Sequence, residues 1–202
     1  MIVGPKFIWL HFPKCGGTET EFVLRKRFGE DPLLRFDPID PNNIVWHHGV
    51  AERRAYDPHF EVAGREIVCG IRRLPHWVLS RTFYEYARSR RAPARAQVLV
   101  GTILEADGIL STADDYMTQY SRAGVDRWIR TEHLADDFRA AFAAHLDLAR
   151  VDFDADFAGR NSQTYIKDPA FYFSPAELRN LYAHNPLWSA FERQVYGGLV
   201  EI

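Results

Sequence analysis

A lysine and two glycines stand together where an apolar stretch of this chain gives way to an amphipathic one. Lys14, Gly16 and Gly17 follow the apolar run 7–12 and precede segment 19–28, whose apolar residues recur with helical spacing. Glycines let a backbone come close to an anion, and the first N–H groups of a helix have no intrahelical partner. Because Lys14 adds a full positive charge, the pattern predicts a phosphate-binding turn between a strand and a helix.

Thr18, Arg72 and Ser80 extend this anion-binding chemistry. Thr18 offers a hydroxyl that can cap the helix or donate a hydrogen bond. Arg72 ends the apolar run that starts at residue 65, and Ser80 follows eight residues later on a segment with helical spacing. A guanidinium at a strand end and a hydroxyl on the next helix can grip one phosphate from two sides. Arg73 is the alternative to Arg72, at a spacing of seven from Ser80.

Histidines supply candidates for proton transfer. His47 and His48 close the β-branched and aromatic run 43–48, which predicts a short strand ending at Gly49. A histidine with a pKa near neutrality is suited to accept a proton from a substrate hydroxyl. Neighbours on a strand point to opposite faces, so we expect only one of the two to reach a cleft. Glu52 is a further candidate base.

Alternating strands and helices must position these residues. This order predicts an α/β fold with a mainly parallel sheet flanked by helices and a helical C-terminal portion, with ligands at the carboxyl ends of the strands. Segments 29–43 and 151–173 are expected to be irregular connections. Strands are predicted at 7–12, 43–48, 65–72 and 127–130, and helices at 19–28, 75–90, 97–106, 112–122, 131–148, from Pro175 after a Ser174 capping box, and from Pro186 to a stop at Gly197.

Length and composition limit the function classes. With 202 residues, the chain is expected to form a single domain over 1–202. A net charge of -2 and a pI near 6.4 argue against a nucleic-acid binder, so any anion site must be local. Two cysteines fit neither a disulfide framework nor a metal site. Without a signal-peptide pattern or a run of ~20 apolar residues, we expect a cytoplasmic protein with no membrane span.

The loop Pro13-Lys14-Cys15-Gly16-Gly17-Thr18 resembles the 5′-phosphosulfate-binding loop of sulfotransferases that use 3′-phosphoadenosine 5′-phosphosulfate (PAPS). It is most similar to the branch that includes the carbohydrate sulfotransferases. It is not a Walker A motif, because its lysine precedes the glycines. The spacing of Arg72 and Ser80 resembles the family's 3′-phosphate motif, although the family's Arg-Asp-Pro is here Arg72-Arg73-Leu74-Pro75. Segment 128–138, the pair Asn161-Ser162 and Tyr196-Gly197 are similar more loosely.

This resemblance implies a P-loop-like fold and transfer of a sulfuryl group from PAPS, without a metal, to a hydroxyl of a carbohydrate or small metabolite. Lys14 is then expected to neutralise the oxygen bridging sulfur and phosphate, and the backbone of Cys15, Gly16, Gly17 and Thr18 to hold the 5′-phosphate. Arg72 and Ser80 are expected to hold the 3′-phosphate. His48 becomes the first choice of base, since His48-Gly49-Val50-Ala51-Glu52 resembles the family's histidine segment.

Two other functions compete with sulfuryl transfer. One is a P-loop nucleotide kinase or phosphotransferase, although Arg72 stands where such an enzyme would need an aspartate to hold magnesium. The other is a non-catalytic nucleotide-binding module on the same fold. A dependence on Mg²⁺ would favour the first, and donor binding without turnover would favour the second.

Overall fold

The computed structural model describes residues 1–40, 44–89, 103–104, 110–158 and 165–202 of an α/β protein. Five strands form one sheet in the order β3-β1-β2-β4-β7, and β5 and β6 form a separate two-stranded ladder. The strands are β1 (Ile2–Val3), β2 (Phe7–Leu10), β3 (Arg35–Phe36), β4 (Glu66–Ile71), β5 (Ile103–Leu104), β6 (Leu110–Ser111) and β7 (Arg127–Arg130).

Helices account for most of the remaining regular structure. Short 3₁₀ segments lie at Ile44–His47, Thr131–His133, Leu148–Arg150 and Pro169–Phe171. The α-helices in the described ranges are α1 (Gly17–Phe28), α2 (Val50–Tyr56), α3 (Leu74–Ser89), α4 (Ala113–Ser121), α5 (Leu134–Phe142), α6 (Phe153–Asp156), α7 (Pro175–His184) and α8 (Pro186–Tyr196).

The central strands are buried on both faces, as expected of parallel strands covered by helices. β2 pairs in parallel with β4, with Trp9 opposite Val68, and β4 pairs in parallel with β7. β1 is antiparallel to both β2 and β3, so the sheet is mixed rather than mainly parallel. Only three residues separate β1 from β2, and a connection that short can join only antiparallel strands.

The chain divides into two compact units. The first comprises Met1–Ile71 and Gln119–Ser162, and the second comprises Arg72–Thr118 and Gln163–Ile202. The first unit holds the five-stranded sheet, and its core includes Trp9, Phe138 and Phe142. The second packs Trp77 against Trp188 with ring centroids 4.7 Å apart. The expected single domain over 1–202 stays a prediction.

Several elements differ from the sequence-based expectations. The predicted strand at 43–48 is wrong, because Ile44–His47 is a 3₁₀ turn followed by α2. Segment 29–43 contains the edge strand β3, and 151–173 contains the short helix α6. The helix expected at 131–148 ends at Phe142. Within the helix expected at 97–106, residues 103–104 form β5, and the others lie outside the described residues, as does the pair Asn161-Ser162.

Other local signals are confirmed. β4, β7 and α1 lie where the pattern predicts them, and Ser174 forms its capping box with Glu177. The last helix, α8, is followed by Gly197, which caps it in a left-handed backbone conformation. Across the described part of the chain, no helix combines the length and apolar character needed to cross a membrane.

Candidate functional site

The segment between β2 and α1, residues 12–16, forms a tight turn that we call the Lys14 loop. Lys14 has φ 65° and Gly16 has φ 76°, so two left-handed residues flank Cys15. Lys14 is the one non-glycine residue with positive φ among those the structure describes. The Cys15 N–H donates to the Phe12 carbonyl at 3.3 Å and closes the turn. Successive residues of alternating hand form a backbone nest, the geometry that binds anions.

The N-terminus of α1 opens at this loop. Gly16 is the N-cap and receives no side-chain cap. Within the described residues, nothing accepts a hydrogen bond from the N–H groups of Gly16, Gly17 or Thr18. Thr18 lies at the second helical position with an exposed side chain, so the expectation that it caps the helix is wrong. Three adjacent backbone donors at a helix N-terminus can bind an anion.

The Cys15 N–H is not one of these donors. Because it is used within the turn, the backbone set expected to hold a 5′-phosphate narrows to Gly16, Gly17 and Thr18. The Cys15 side chain is fully buried and anchors the loop against the sheet. Lys14 is half-buried and stands at the centre of the turn.

A network of buried polar and charged side chains lies next to the Lys14 loop. His11 is 3 % exposed, and its Nδ1 lies 2.6 Å from the Glu21 carboxylate, which Arg25 also binds. Burial lowers the pKa of His11, against the opposing effect of Glu21. Burial alone would raise the pKa of Glu21, but the hydrogen bonds from His11 and Arg25 outweigh it and lower that pKa. The arrangement is therefore a neutral His11 donating from Nδ1 to an ionised Glu21.

Close packing fixes the start of α1 on this network. A Cβ on Gly17 would overlap the His11 imidazole, so only glycine lets the helix approach the ring this closely. A Cβ on Gly16 would lie 2.9 Å from Leu134 of α5. The N-terminus of α1 is thus held between His11 and α5.

His47 lies beside the Lys14 loop. Its Nδ1 is 3.0 Å from the His11 carbonyl oxygen, and the two imidazole rings meet edge to face at 4.7 Å. The His47 carbonyl accepts hydrogen bonds from the Tyr120 hydroxyl and, at 3.4 Å, from the Gln119 amide. Burial is the main cause that lowers the pKa of His47 to about 4, and the neighbouring His11 contributes less.

His48 and Glu52 have different surroundings. The His48 ring packs edge to face on Tyr56 at 5.6 Å. Its Nδ1 and the Glu52 Oε2 are both buried and make no hydrogen bond with any described residue. Burial, with a smaller effect of Arg53, lowers the pKa of His48. Among the described residues, no hydrogen bond therefore orients either of these two atoms.

Arg72 and Ser80 belong to the second unit. Arg72 directly follows β4, and its carbonyl accepts a 3.0 Å hydrogen bond from the Trp188 indole. Ser80 lies within α3 and is 5 % exposed. Arg72 also acts on Lys167, because burial and the Arg72 charge together lower the pKa of Lys167. The expected grip of Arg72 and Ser80 on a 3′-phosphate stays a prediction.

Arg73 has a structural role. Its guanidinium binds the buried Glu192 carboxylate at 3.2 Å and the Gly198 carbonyl at 3.0 Å, and it stacks over Tyr196. These contacts hold Arg73 against α8 within the same unit.

Sequence reasoning missed two residues that shape the site. Tyr120 stacks on Phe12 at 4.4 Å while its hydroxyl binds the His47 carbonyl. Thr131 donates from its hydroxyl to the Ile71 carbonyl at 3.0 Å. Both contacts join residues more than 50 positions apart, and no local pattern signals them.

No group of three or more His, Cys, Asp or Glu side chains suited to hold a metal ion occurs in the described ranges.

Comparison with known proteins found no relative of this chain. The chain matches no protein-family model, no curated protein and no solved structure. Its function must therefore be argued from the geometry of its own residues.

Proposed function

We propose that this protein is a sulfotransferase that moves a sulfuryl group from PAPS to a hydroxyl of a carbohydrate or a small metabolite. The proposal also includes a P-loop-like fold, a reaction that needs no metal and a cytoplasmic location, as the sequence predicts. Two alternatives must be excluded by experiment. One is a P-loop nucleotide kinase or phosphotransferase, and the other is a non-catalytic nucleotide-binding module.

The geometry of the Lys14 loop carries the proposal. Two left-handed residues, Lys14 and Gly16, create a nest, and the backbone N–H groups of Gly16, Gly17 and Thr18 lack acceptors among the described residues. A lysine at such a nest adds charge to an array of neutral donors, a combination suited to a phosphosulfate.

The remaining roles follow from the chemistry of sulfuryl transfer. Positioning and charge stabilisation should dominate, by analogy with phosphoryl transfer. Lys14 would stabilise negative charge on the bridging oxygen as the bond to sulfur breaks. Arg72 and Ser80 would bind the 3′-phosphate, the group that distinguishes PAPS from ordinary nucleotides. A histidine of the 47–48 pair would accept the proton, with His48 favoured by the sequence.

Calorimetric titration with 3′-phosphoadenosine 5′-phosphate (PAP), beside ADP without metal, tests the donor site. We expect PAP to bind much more tightly than ADP. Replacing Arg72 with alanine should cost about 1.5 to 3 kcal/mol of PAP binding free energy, the value of a charge-assisted contact. Arg54→Ala is the matched control, because Arg54 is an exposed arginine on α2.

The contrary outcomes separate the rival functions. Preference for ADP, or a requirement for Mg²⁺, would favour a P-loop kinase or phosphotransferase. Tight PAP binding with no turnover of PAPS would favour a non-catalytic module. No binding of either nucleotide would reduce the Lys14 loop to a structural turn.

A further inference from the structure

We infer that His47, and not His48, takes the proton from the acceptor hydroxyl, and that His47 does so from a tautomer fixed by the His11 carbonyl. This inference rests on the proposed sulfuryl transfer and names the base within that same site. It departs from the sequence-based choice of His48.

The hydrogen bond to His11 sets the tautomer of His47. The His47 Nδ1 lies 3.0 Å from the backbone oxygen of His11, and a carbonyl oxygen can only accept. The hydrogen of a neutral imidazole must therefore be on Nδ1, which leaves the lone pair on Nε2. Nε2 is then the atom that can receive a proton.

Two further ring contacts restrain His47. Its ring lies 3.9 Å from the Trp46 ring, centroid to centroid, at a tilt of 35°, and it meets the His11 ring edge to face at 4.7 Å. Its backbone is anchored by the hydrogen bond from Tyr120. A base held in one rotamer and one tautomer avoids the cost of organising itself during the reaction.

The same contacts tie His47 to the Lys14 loop. His11, whose carbonyl fixes the tautomer, comes immediately before Phe12, the first residue of the loop. Tyr120, which holds the His47 backbone, stacks on the Phe12 ring with an interplanar angle of 11°. The residue that fixes the His47 tautomer and the residue that holds its backbone thus both adjoin Phe12 of the Lys14 loop.

Among the described residues, His48 has no hydrogen bond that fixes its tautomer and no ring contact with the Lys14 loop. Its Nδ1 is buried without a hydrogen-bond partner among the described residues, so no contact there selects a tautomer. Its ring packs on Tyr56, and its electrostatic neighbours are Arg53, Glu52, Asp37 and the Met1 amino group. None of these groups belongs to the Lys14 loop.

Charge around His47 matches the task of a base that acts only with donor bound. The groups facing it are His11, Glu21 with its partner Arg25, the Met1 amino group, and the neutral Gln119 and Tyr120 of α4. In the free protein, a pKa of about 4 leaves Nε2 unprotonated at neutral pH. Negative charge placed at the loop would raise that pKa toward neutrality, where a general base is most effective.

The proposed step balances as follows. The acceptor oxygen forms a bond to sulfur while the bond from sulfur to the bridging oxygen breaks. The electron pair of the broken bond stays on the 5′-phosphate of PAP. The acceptor proton passes to Nε2 of His47, giving a sulfate ester, PAP and an imidazolium that later releases the proton to water.

Imidazole NMR of the labelled protein tests the tautomer and its coupling to the loop. We expect His47 to show the Nδ1–H tautomer without ligand, and saturating PAP to raise its pKa by about one unit or more. His48 should shift much less. The tautomer is read without any ligand, so a failure of PAP to bind would count against the proposed function and leave this reading independent of it.

Matched variants test the proton transfer. Asparagine in place of His47 can still donate to the His11 carbonyl but offers no Nε2, so His47→Asn should preserve PAP affinity. With water as the probe acceptor, turnover of PAPS should fall by ~10² to 10⁴ in His47→Asn and stay near wild type in His48→Asn.

Three results would overturn the inference. They are an Nε2–H tautomer at His47, a PAP-induced shift confined to His48, and loss of turnover in His48→Asn with turnover kept in His47→Asn. If water proves too slow an acceptor in the wild type, the NMR titration decides alone.

Discussion

The carbonyl group of Cys15 occupies the space in which a Cβ of Gly70 would lie. The Lys14 loop therefore rests directly on the backbone of β4, with no side chain between them. Because of this contact, the position of the central strand β4 determines the position of the Lys14 loop.

Gly70→Ala should displace the Lys14 loop. The added methyl group overlaps a backbone carbonyl, which cannot rotate away as a side chain can, so we expect a loss of about 1 to 3 kcal/mol in the free energy of unfolding. PAP affinity should fall as well. Gly198→Ala is the control, because its Cβ would meet nothing within 4 Å. Equal urea midpoints for the two variants would contradict this packing.

Two substitutions of Lys14 separate its backbone from its charge. Both Lys14→Ala and Lys14→Gly remove the ammonium group, but only glycine adopts φ 65° without strain. Lys14→Gly should therefore be more stable than Lys14→Ala by about 1 kcal/mol in urea denaturation. PAPS turnover should be equally low in both. If alanine were the more stable of the two, the left-handed backbone at this position would be disproved.

Glu192 should be essential to the second unit. Its buried carboxylate accepts hydrogen bonds from the Leu74 N–H at 2.7 Å, the Tyr182 hydroxyl at 2.9 Å and Arg73. Glu192→Ala leaves all three donors without their acceptor and should lower the free energy of unfolding by about 3 to 5 kcal/mol. Glu192→Gln keeps one acceptor oxygen and should cost clearly less. A loss no larger than that of the exposed Glu201→Ala would refute this role.

Stability should fall as the pH is lowered from 7. The pKa of His11 is lowered in the folded protein from an ordinary 6.5, so below that value the unfolded chain binds the proton first. Glu21, whose pKa is lowered from 4.5, adds a further loss below about pH 4.5. His11→Asn keeps a donor for Glu21 without titrating, and its Tm should fall less between pH 7 and 5.

Replacing the exposed His59 provides the control for this pH series. The slope in His11→Asn should shrink but not vanish, because the pKa values of His47 and His48 are also lowered. A wild-type slope retained in His11→Asn would show that His11 is not a main source of the pH dependence.

Local sequence patterns predicted the parts of the fold that local physics determines. β2 and β4 are recognisable because buried parallel strands require unbroken apolar runs, and the turn to α1 because it needs glycine beside a charge. The Ser174 capping box is a contact between residues three positions apart. The Arg73 pairing with Glu192, 119 positions away, has no such local signal.

The run 43–48 shows where this reasoning fails. Ile44, Val45 and Trp46 have strong strand propensity, yet the segment forms a 3₁₀ turn. Hydrogen bonds from His47 to His11 and from Tyr120 to His47 hold it in that shape. Tertiary contacts thus override propensity, and they decide which of the two histidines is oriented beside the loop.

The double contact of Tyr120 has a consequence for changing the specificity of this protein. One side chain contacts both Phe12 of the Lys14 loop and the backbone of His47. Under the proposed function, a substitution there would disturb the alignment of donor and base together, so a library aimed at new acceptors should leave position 120 intact. Engineering is better directed at the segment after β3, where the Ile39 side chain is exposed.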